Sequence, residues 1–379
     1  MEFCFSEEQN ELRRAARHFL EVESSEARVR AAMETETGYD PRVWKQLSEE
    51  LAWTALTIPE AYGGLGLSYL DLHPLMEEMG RALLCAPFFS TICLGANALL
   101  VGGSDAQKDR YLPSIAAGET TVALAHAEKN LAQGADAIEA TYSKRGDGYV
   151  LRGSKHYVVD GHTSDLIIVT ARAEGSRGSE GICSFVVPGD AAGLTRTWTP
   201  SMDQTRRLAT IVLDGVKVAA DACVGAEGDA WHSCERTLDL ARIALAAEQV
   251  GAAEMCLDMS VEYAKVRHQF GRPIGSFQAI KHKCADMLTM VESARSAAFH
   301  ASAVAGQDEV DLSEAASSAK AFCSDAFFHC AAENIQIHGG IGFTWEHPAH
   351  MYFKRAKASE VLLGDPAFHR ERVAHRMGL

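Results

Sequence analysis

Residues 241–266 read ARIALAAEQVGAAEMCLDMSVEYAKV. Within them Ile243, Ala247, Val250, Leu257, Val261 and Ala264 recur at steps of 4, 3, 7, 4 and 3. That spacing lays apolar side chains along one face of a long α-helix. Phe277, Ile280, Cys284, Met287 and Val291 follow at steps of 3, 4, 3 and 4 and predict a second helix. Helices with so broad an apolar stripe must bury it against other helices, so the spacing predicts a four-helix bundle over residues 224–379.

Upstream of Gly225 the period changes. Residues 121–223 carry short runs rich in β-branched side chains: Tyr149-Val150-Leu151, Tyr157-Val158-Val159, Leu166-Ile167-Ile168-Val169, Ser184-Phe185-Val186-Val187 and Ala209-Thr210-Ile211-Val212-Leu213. Turn signals such as Gly146-Asp147-Gly148 and Asp160-Gly161 separate them, as in an antiparallel meander or barrel. Residues 1–120 return to helical spacing. Ser6-Glu7-Glu8-Gln9 reads as a capping box opening a helix with Leu12, Ala16 and Phe19 on one face. The exception is Ile58-Pro59-Glu60-Ala61-Tyr62-Gly63-Gly64-Leu65-Gly66, which proline and three glycines force into a loop. The fold class is therefore α+β: an N-terminal α-helical domain (1–120), a middle antiparallel β-domain (121–223) and a C-terminal four-helix bundle (224–379).

A chain of 379 residues exceeds what one core usually covers. A formal net charge of −15 repels phosphate backbones and argues against nucleic-acid binding. The ten cysteines form no CxxC pair and show no zinc-ligand spacing with histidine, so they read as reduced core residues, with no metal expected. No charged leader precedes an apolar run at the N-terminus, and no apolar run reaches the roughly 20 residues of a membrane span. A cytoplasmic location is expected.

Two further stretches carry chemistry. The first is Tyr263-Ala264-Lys265-Val266-Arg267-His268-Gln269-Phe270-Gly271-Arg272-Pro273-Ile274, followed by Phe277-Gln278. The second is Gln336-Ile337-His338-Gly339-Gly340-Ile341-Gly342. A guanidinium holds an anionic group with paired hydrogen bonds, amides donate to oxygen acceptors, and adjacent glycines let a ligand approach the backbone. His338 sits among the glycines with no serine or cysteine placed beside it by sequence, so it does not read as part of a nucleophilic site.

These stretches, with Pro59–Gly66, resemble the acyl-CoA dehydrogenase family over nearly the whole chain. The resemblance implies a tetramer with FAD at subunit interfaces and an acyl-CoA thioester as substrate. It also implies α,β-dehydrogenation, with a carboxylate taking the α-proton and the flavin taking a hydride. Electrons then pass to an electron-transferring flavoprotein. Carried over residue by residue, it assigns Arg267, Gln278 and Gln336 to FAD bound mainly by a neighbouring subunit, with Gln269, Phe270, Gly339 and Gly340 around them. It assigns Arg242 to substrate binding.

The sequence departs from the family at the base. One branch of the family has its glutamate just before a Gly-Thr pair near the C-terminus, and Leu363 stands there before Gly364. Another has it just before an arginine nine residues ahead of a glycine on the long helix; here Arg242 lies nine residues before Gly251, and Ala241 precedes it. Neither side chain accepts a proton. Glu235, Glu248 and Asp365 are the nearby carboxylates, Asp365 being the best placed of them. The β-domain departs too. The family's A-L-T-E-P stretch is matched by Ala123-Leu124-Ala125-His126-Ala127, and the tryptophan and threonine of its G-x-K-x-W-I-T-N-G stretch become Tyr157 and Val159. The pattern is similar to that of the partner chain in heteromeric bacterial dehydrogenases, in which one subunit type supplies the base and the other completes the cofactor site. The competing readings are a self-sufficient homotetramer using Asp365 and a binding or scaffolding protein without a redox role.

Overall fold

A computed structural model describes residues 5–306 and 311–379. The helices are α1 (Glu7–Glu23), α2 (Glu26–Glu34), α3 (Pro41–Lys45), α4 (Tyr69–Arg81), α5 (Asn97–Gly102), α6 (Asp105–Ala116), α7 (Trp231–Val266), α8 (Gln278–Val304), α9 (Leu312–His338), α10 (Ala349–Val361) and α11 (Pro366–Arg376). The strands are β1 (Val122–Ala125), β2 (Thr141–Arg145), β3 (Gly148–Val159), β4 (Leu166–Ala173), β5 (Ile182–Pro188), β6 (Leu194–Thr199), β7 (Leu208–Ala219), β8 (Cys223–Val224), β9 (His268–Gln269) and β10 (Arg272–Pro273). This is helices, then sheet, then helices, as the change of period predicts. No helix among the described residues is long and apolar enough to cross a membrane.

The chain forms two compact units. One comprises Met1–Ala31, Tyr69–Leu84 and Arg242–Leu379; the other comprises Ala32–Ser68 and Cys85–Ala241. In the first, α9 packs against α8, α10 and α11, and α4 packs against both α1 and α8. The capping box forms as read: Gln9 N–H donates to Ser6 Oγ and Ser6 N–H to Gln9 Oε1, at 3.2 and 3.0 Å. The predicted face of α7 is buried at Ile243, Ala247, Val250, Leu257 and Ala264. Its backbone also touches that of α4. A Cβ on Gly251 would lie 1.8 Å from the Glu77 carbonyl oxygen, and one on Gly80 would lie 1.9 Å from that of Glu248. Around this crossing Arg13 and Arg17 of α1 pair with Glu77 and Glu78 of α4, both buried, and Arg295 of α8 approaches Glu77.

In the second unit the strands lie in the order β6-β7-β3-β2-β4-β5-β8, with β1 beside β4. Pairing is antiparallel except that β4 runs parallel to both β1 and β2. One side of the sheet buries a core that includes Leu151, Ile167, Val169, Phe185, Ile211 and Leu213.

Candidate functional site

The two glycine-containing motifs meet at one end of the helical unit. α7 ends at Val266, and β9 and β10 form a hairpin whose two turn residues, Phe270 and Gly271, both have positive φ, 52° and 78°. That is the backbone of a type I′ turn, which admits glycine readily and here holds Phe270 out at 92% exposure. α9 ends at His338, with Gly339 at φ +64 capping it. The rings of Tyr263 and His338 stack at 4.3 Å, and the His347 ring lies tilted against His338 at 4.3 Å. His338 Nδ1–H donates to the Asn334 carbonyl at 2.8 Å, which fixes its tautomer. One aromatic contact thus joins the segments carrying Arg267 and Gln336.

Arg267, Gln269, Gln278, Gln336, Gly339 and Gly340 are all exposed. Among the described residues, the Arg267 guanidinium and the Gln278 and Gln336 amides meet no hydrogen-bonding partner, whereas Gln269 donates to the His268 carbonyl. Side chains added at Gly339 or Gly340 would meet nothing. Exposed donors, bare backbone and the projecting rings of Phe270, Phe343 and Trp345 suit a nucleotide. On this side the residues fit a dinucleotide such as FAD.

Both positions at which the resemblance leads one to expect a base carry aliphatic groups in the structure. Ala241 is fully buried on α7. Leu363 sits in the turn between α10 and α11 at φ +62, followed by Gly364 at φ +103. Polar groups hold the main chain of that turn. Arg242 Nε–H donates to the Leu363 carbonyl at 3.0 Å and His369 Nε2–H donates to it at 3.1 Å. Lys320 Nζ donates to the carbonyls of Glu360 and Gly364, each at 3.1 Å, and to Ser324 Oγ at 2.9 Å. All three donors are buried. Burial, with Arg242 alongside, pulls the Lys320 ammonium down to about 7. Burial, with Arg242 and Lys320 nearby, pushes the His369 imidazole down to about 2.

The substitute carboxylates are otherwise engaged. Asp365 caps α11, accepting from Phe368 N–H at 2.8 Å. Glu248 is buried against Arg355 Nη1 at 2.8 Å. Glu235 is half-buried on the first turns of α7.

In the sheet unit, Ala125 and Val159 are buried and offer no donor. Tyr157 stands at φ +57 in a bulge where β3 slips against β7 between Lys155 and Val158, a device that re-aims a side chain. On this side the residues do not supply the hydroxyl donors of the family pattern. Sequence reasoning missed the role of Lys155. Its Nζ is buried, 2.5 Å from Glu128 Oε1 and 3.2 Å from the His126 carbonyl, and Glu128 Oε1 also accepts from Glu139 N–H and Ala140 N–H. A lysine in the middle of a strand is the signal that marks it. Lys320, inside the small-residue run Ala315–Ala321, was equally visible.

Models of the N-terminal, middle and C-terminal acyl-CoA dehydrogenase domains match residues 6–119, 123–216 and 228–378. The chain is 34% identical over 361 residues to acyl-CoA dehydrogenase IpdE2 of Mycolicibacterium smegmatis, covering 95% of this chain and 96% of that one. It superposes on butyryl-CoA dehydrogenase of Megasphaera elsdenii with a TM-score of 0.91 at 28% identity, over 100% of both chains. On a chain of the ChsE4-ChsE5 complex of Mycobacterium tuberculosis the TM-score is 0.90 at 25% identity, covering 100% of this chain and 99% of that one. A three-segment fold with the motif pair at the helical end defines a class of oxidoreductases that act on CH–CH bonds. This chain belongs to the acyl-CoA dehydrogenase family.

Proposed function

We propose that this chain is the partner subunit of a mixed tetramer that dehydrogenates an acyl-CoA thioester with FAD. In this reading Arg267, Gln278 and Gln336, with Gln269, Phe270, Gly339 and Gly340, embrace an FAD held mainly by a sister chain, and Arg242 serves the substrate side. The bound flavin would accept the hydride and pass its electrons to an electron-transferring flavoprotein. The sister chain supplies the carboxylate that removes the α-proton. One observation carries the reading: donors free for a neighbour's cofactor are kept on the helical end, while Ala241 and Leu363 stand where the base belongs. The likeness to a chain of the ChsE4-ChsE5 complex supports it.

The deciding measurement is the visible spectrum of the protein purified alone, with flavin quantified after denaturation and turnover assayed with an artificial electron acceptor. A colourless, inactive protein that acquires one flavin per pair of chains on co-expression with a sister dehydrogenase is expected. Turnover of an acyl-CoA by the isolated chain would overturn the partner role.

A further inference from the structure

Two histidines meet at the end of the helical unit that carries the glycine turn. His338 closes α9 and is buried, and His347 lies two residues before α10 and is half-buried. Their ring centroids are 4.3 Å apart, and the His338 ring also stacks at 4.3 Å on Tyr263, in the last turn of α7. The turn between the two histidines is largely exposed. Among residues 339–346 only Gly342 is buried, and a Cβ added there would lie 2.9 Å from that of His338. Thr344 N–H and Oγ1–H both donate to the Ile341 carbonyl, within the turn itself. The Trp345 ring rests against His350 and Lys354 of α10.

The hydrogen bonds of the two rings assign their protons. A carbonyl only accepts, so the Asn334 carbonyl, 2.8 Å away, takes its bond from His338 Nδ1–H and leaves Nε2 bare. A main-chain N–H only donates, so Ala349 N–H, at 3.2 Å, requires a lone pair on His347 Nδ1 and leaves the proton on Nε2. Ala349 is the first residue of α10, and this bond satisfies one of the amides that a helix start leaves open. A further proton on His347 has only Nδ1 to occupy, and there it ends the bond to Ala349. A further proton on His338 goes to Nε2 and sets a charge against the His347 ring. Two charged rings this close repel each other. We propose that His338 and His347 form a proton-operated latch, closed while both rings are neutral, that fastens the turn 339–346 to the ends of α7 and α9 and opens when either ring is protonated.

The surroundings set the direction of the switch. Burial lowers both histidines from their ordinary value; the Asn334 carbonyl opposes this at His338, and the neighbouring His338 adds to it at His347. From α2, Glu26 favours a charge on His347 and Arg30 disfavours it, and these two pair with each other at 2.8 Å. The closed form therefore binds protons less readily than the open form, whose rings reach water. The latch holds at pH ~6.5 and above and yields as the pH falls below it. Local opening of this kind belongs to exposed segments with few buried contacts. Because Gly339 and Gly340 lie in the turn, opening also loosens a nucleotide held at this end. That consequence rests on the function proposed above, whereas the latch itself does not.

Hydrogen–deuterium exchange of the full-length chain without flavin, read by peptide mass spectrometry, tests the latch apart from the partner-chain reading. Rates are corrected for intrinsic exchange at each pH. Opening of residues 342–351 should rise about tenfold between pH 7.5 and pH 5.5 for each histidine that the closed form keeps neutral. Residues 315–335 of α9 serve as the control within the same molecule and should change far less. An asparagine side chain accepts the main-chain N–H two residues ahead and does not titrate. His338→Phe combined with His347→Asn should therefore keep the segment closed at both pH values. A rise over 342–351 in the unaltered chain no greater than that along α9 would overturn the proposal, whatever the variant does. So would an equal rise in the double variant.

Discussion

Arg242 Nε–H donates to the main-chain carbonyl of Leu363 at 3.0 Å. The bond ties together the two segments at which the resemblance leads one to expect a catalytic carboxylate, Ala241 preceding Arg242 and Leu363 being the other position. Buried donors hold the main chain of the Leu363 turn. A buried hydrogen bond from a charged donor contributes about 1.5–3 kcal/mol. Arg242→Met should therefore lower the unfolding free energy by about that much in urea titrations. No change would mean that His369 and Lys320 hold the turn without it.

The same cluster sets a pH dependence. The folded state keeps His369 neutral down to about 2, whereas the unfolded chain takes up its proton near pH ~6.5. Protons are then bound preferentially by the unfolded state, so the contribution of His369 is full above ~6.5 and falls as the pH drops below it. The loss from this group is about 2 kcal/mol between pH 7 and pH 5. Burial shifts His338, His347 and His350 in the same direction. Urea midpoints measured over that range should decline less steeply in His369→Gln, and an unchanged slope would count against the assignment.

Asp365 offers a clean separation of structure from chemistry. Asparagine caps helices about as well as aspartate, so Asp365→Asn should alter stability by less than about 0.5 kcal/mol, while Asp365→Ala should cost about 1 kcal/mol. If Asp365 is a cap and no base, the assembled enzyme keeps its turnover in Asp365→Asn. A collapse of turnover with flavin and melting temperature intact would make Asp365 the base after all.

In the sheet unit, removing one member of a buried ion pair strands the other. Lys155→Met should destabilise by about 3–5 kcal/mol. Adding Glu128→Gln should recover part of that loss, because the charge left behind is then gone. Denaturant unfolding of the two single variants and the double variant checks this, and simple additivity of the two losses would speak against a coupled pair.

Much of this was legible in sequence because periodicity reports burial directly. The steps from Ile243 to Ala264 mark a face that is buried almost throughout. The capping box at Ser6 and Gln9 forms as its residue types require. Several strands gave no signal, β1, β2 and β6 among them. β1 is buried at every position, which removes the alternation that marks a half-buried strand. β2 and β6 are short and largely polar, and β6 lies at the edge of the sheet. Gly251 could be used only as a spacing marker in sequence, since its need for bare backbone exists only where α4 crosses. Likewise, nothing local says that Lys155 will meet Glu128, or that Tyr263 will stack on His338, since both contacts are made by distant segments.

The segmentation of the helical unit bears on how the chain is made. Helices α1 and α4 belong with Arg242–Leu379, yet Cys85–Ala241 of the sheet unit is synthesised between α4 and that stretch. At roughly 5–20 residues per second, that final stretch takes roughly 7–30 s to appear. Until α8 is complete at Val304, 223 residues after the end of α4 at Arg81, the buried face of α4, with Glu77 and Glu78, has no α8 to pack against. Nascent chains stalled before residue 242 should therefore engage chaperones through α1 and α4 while the sheet unit is already protease-resistant.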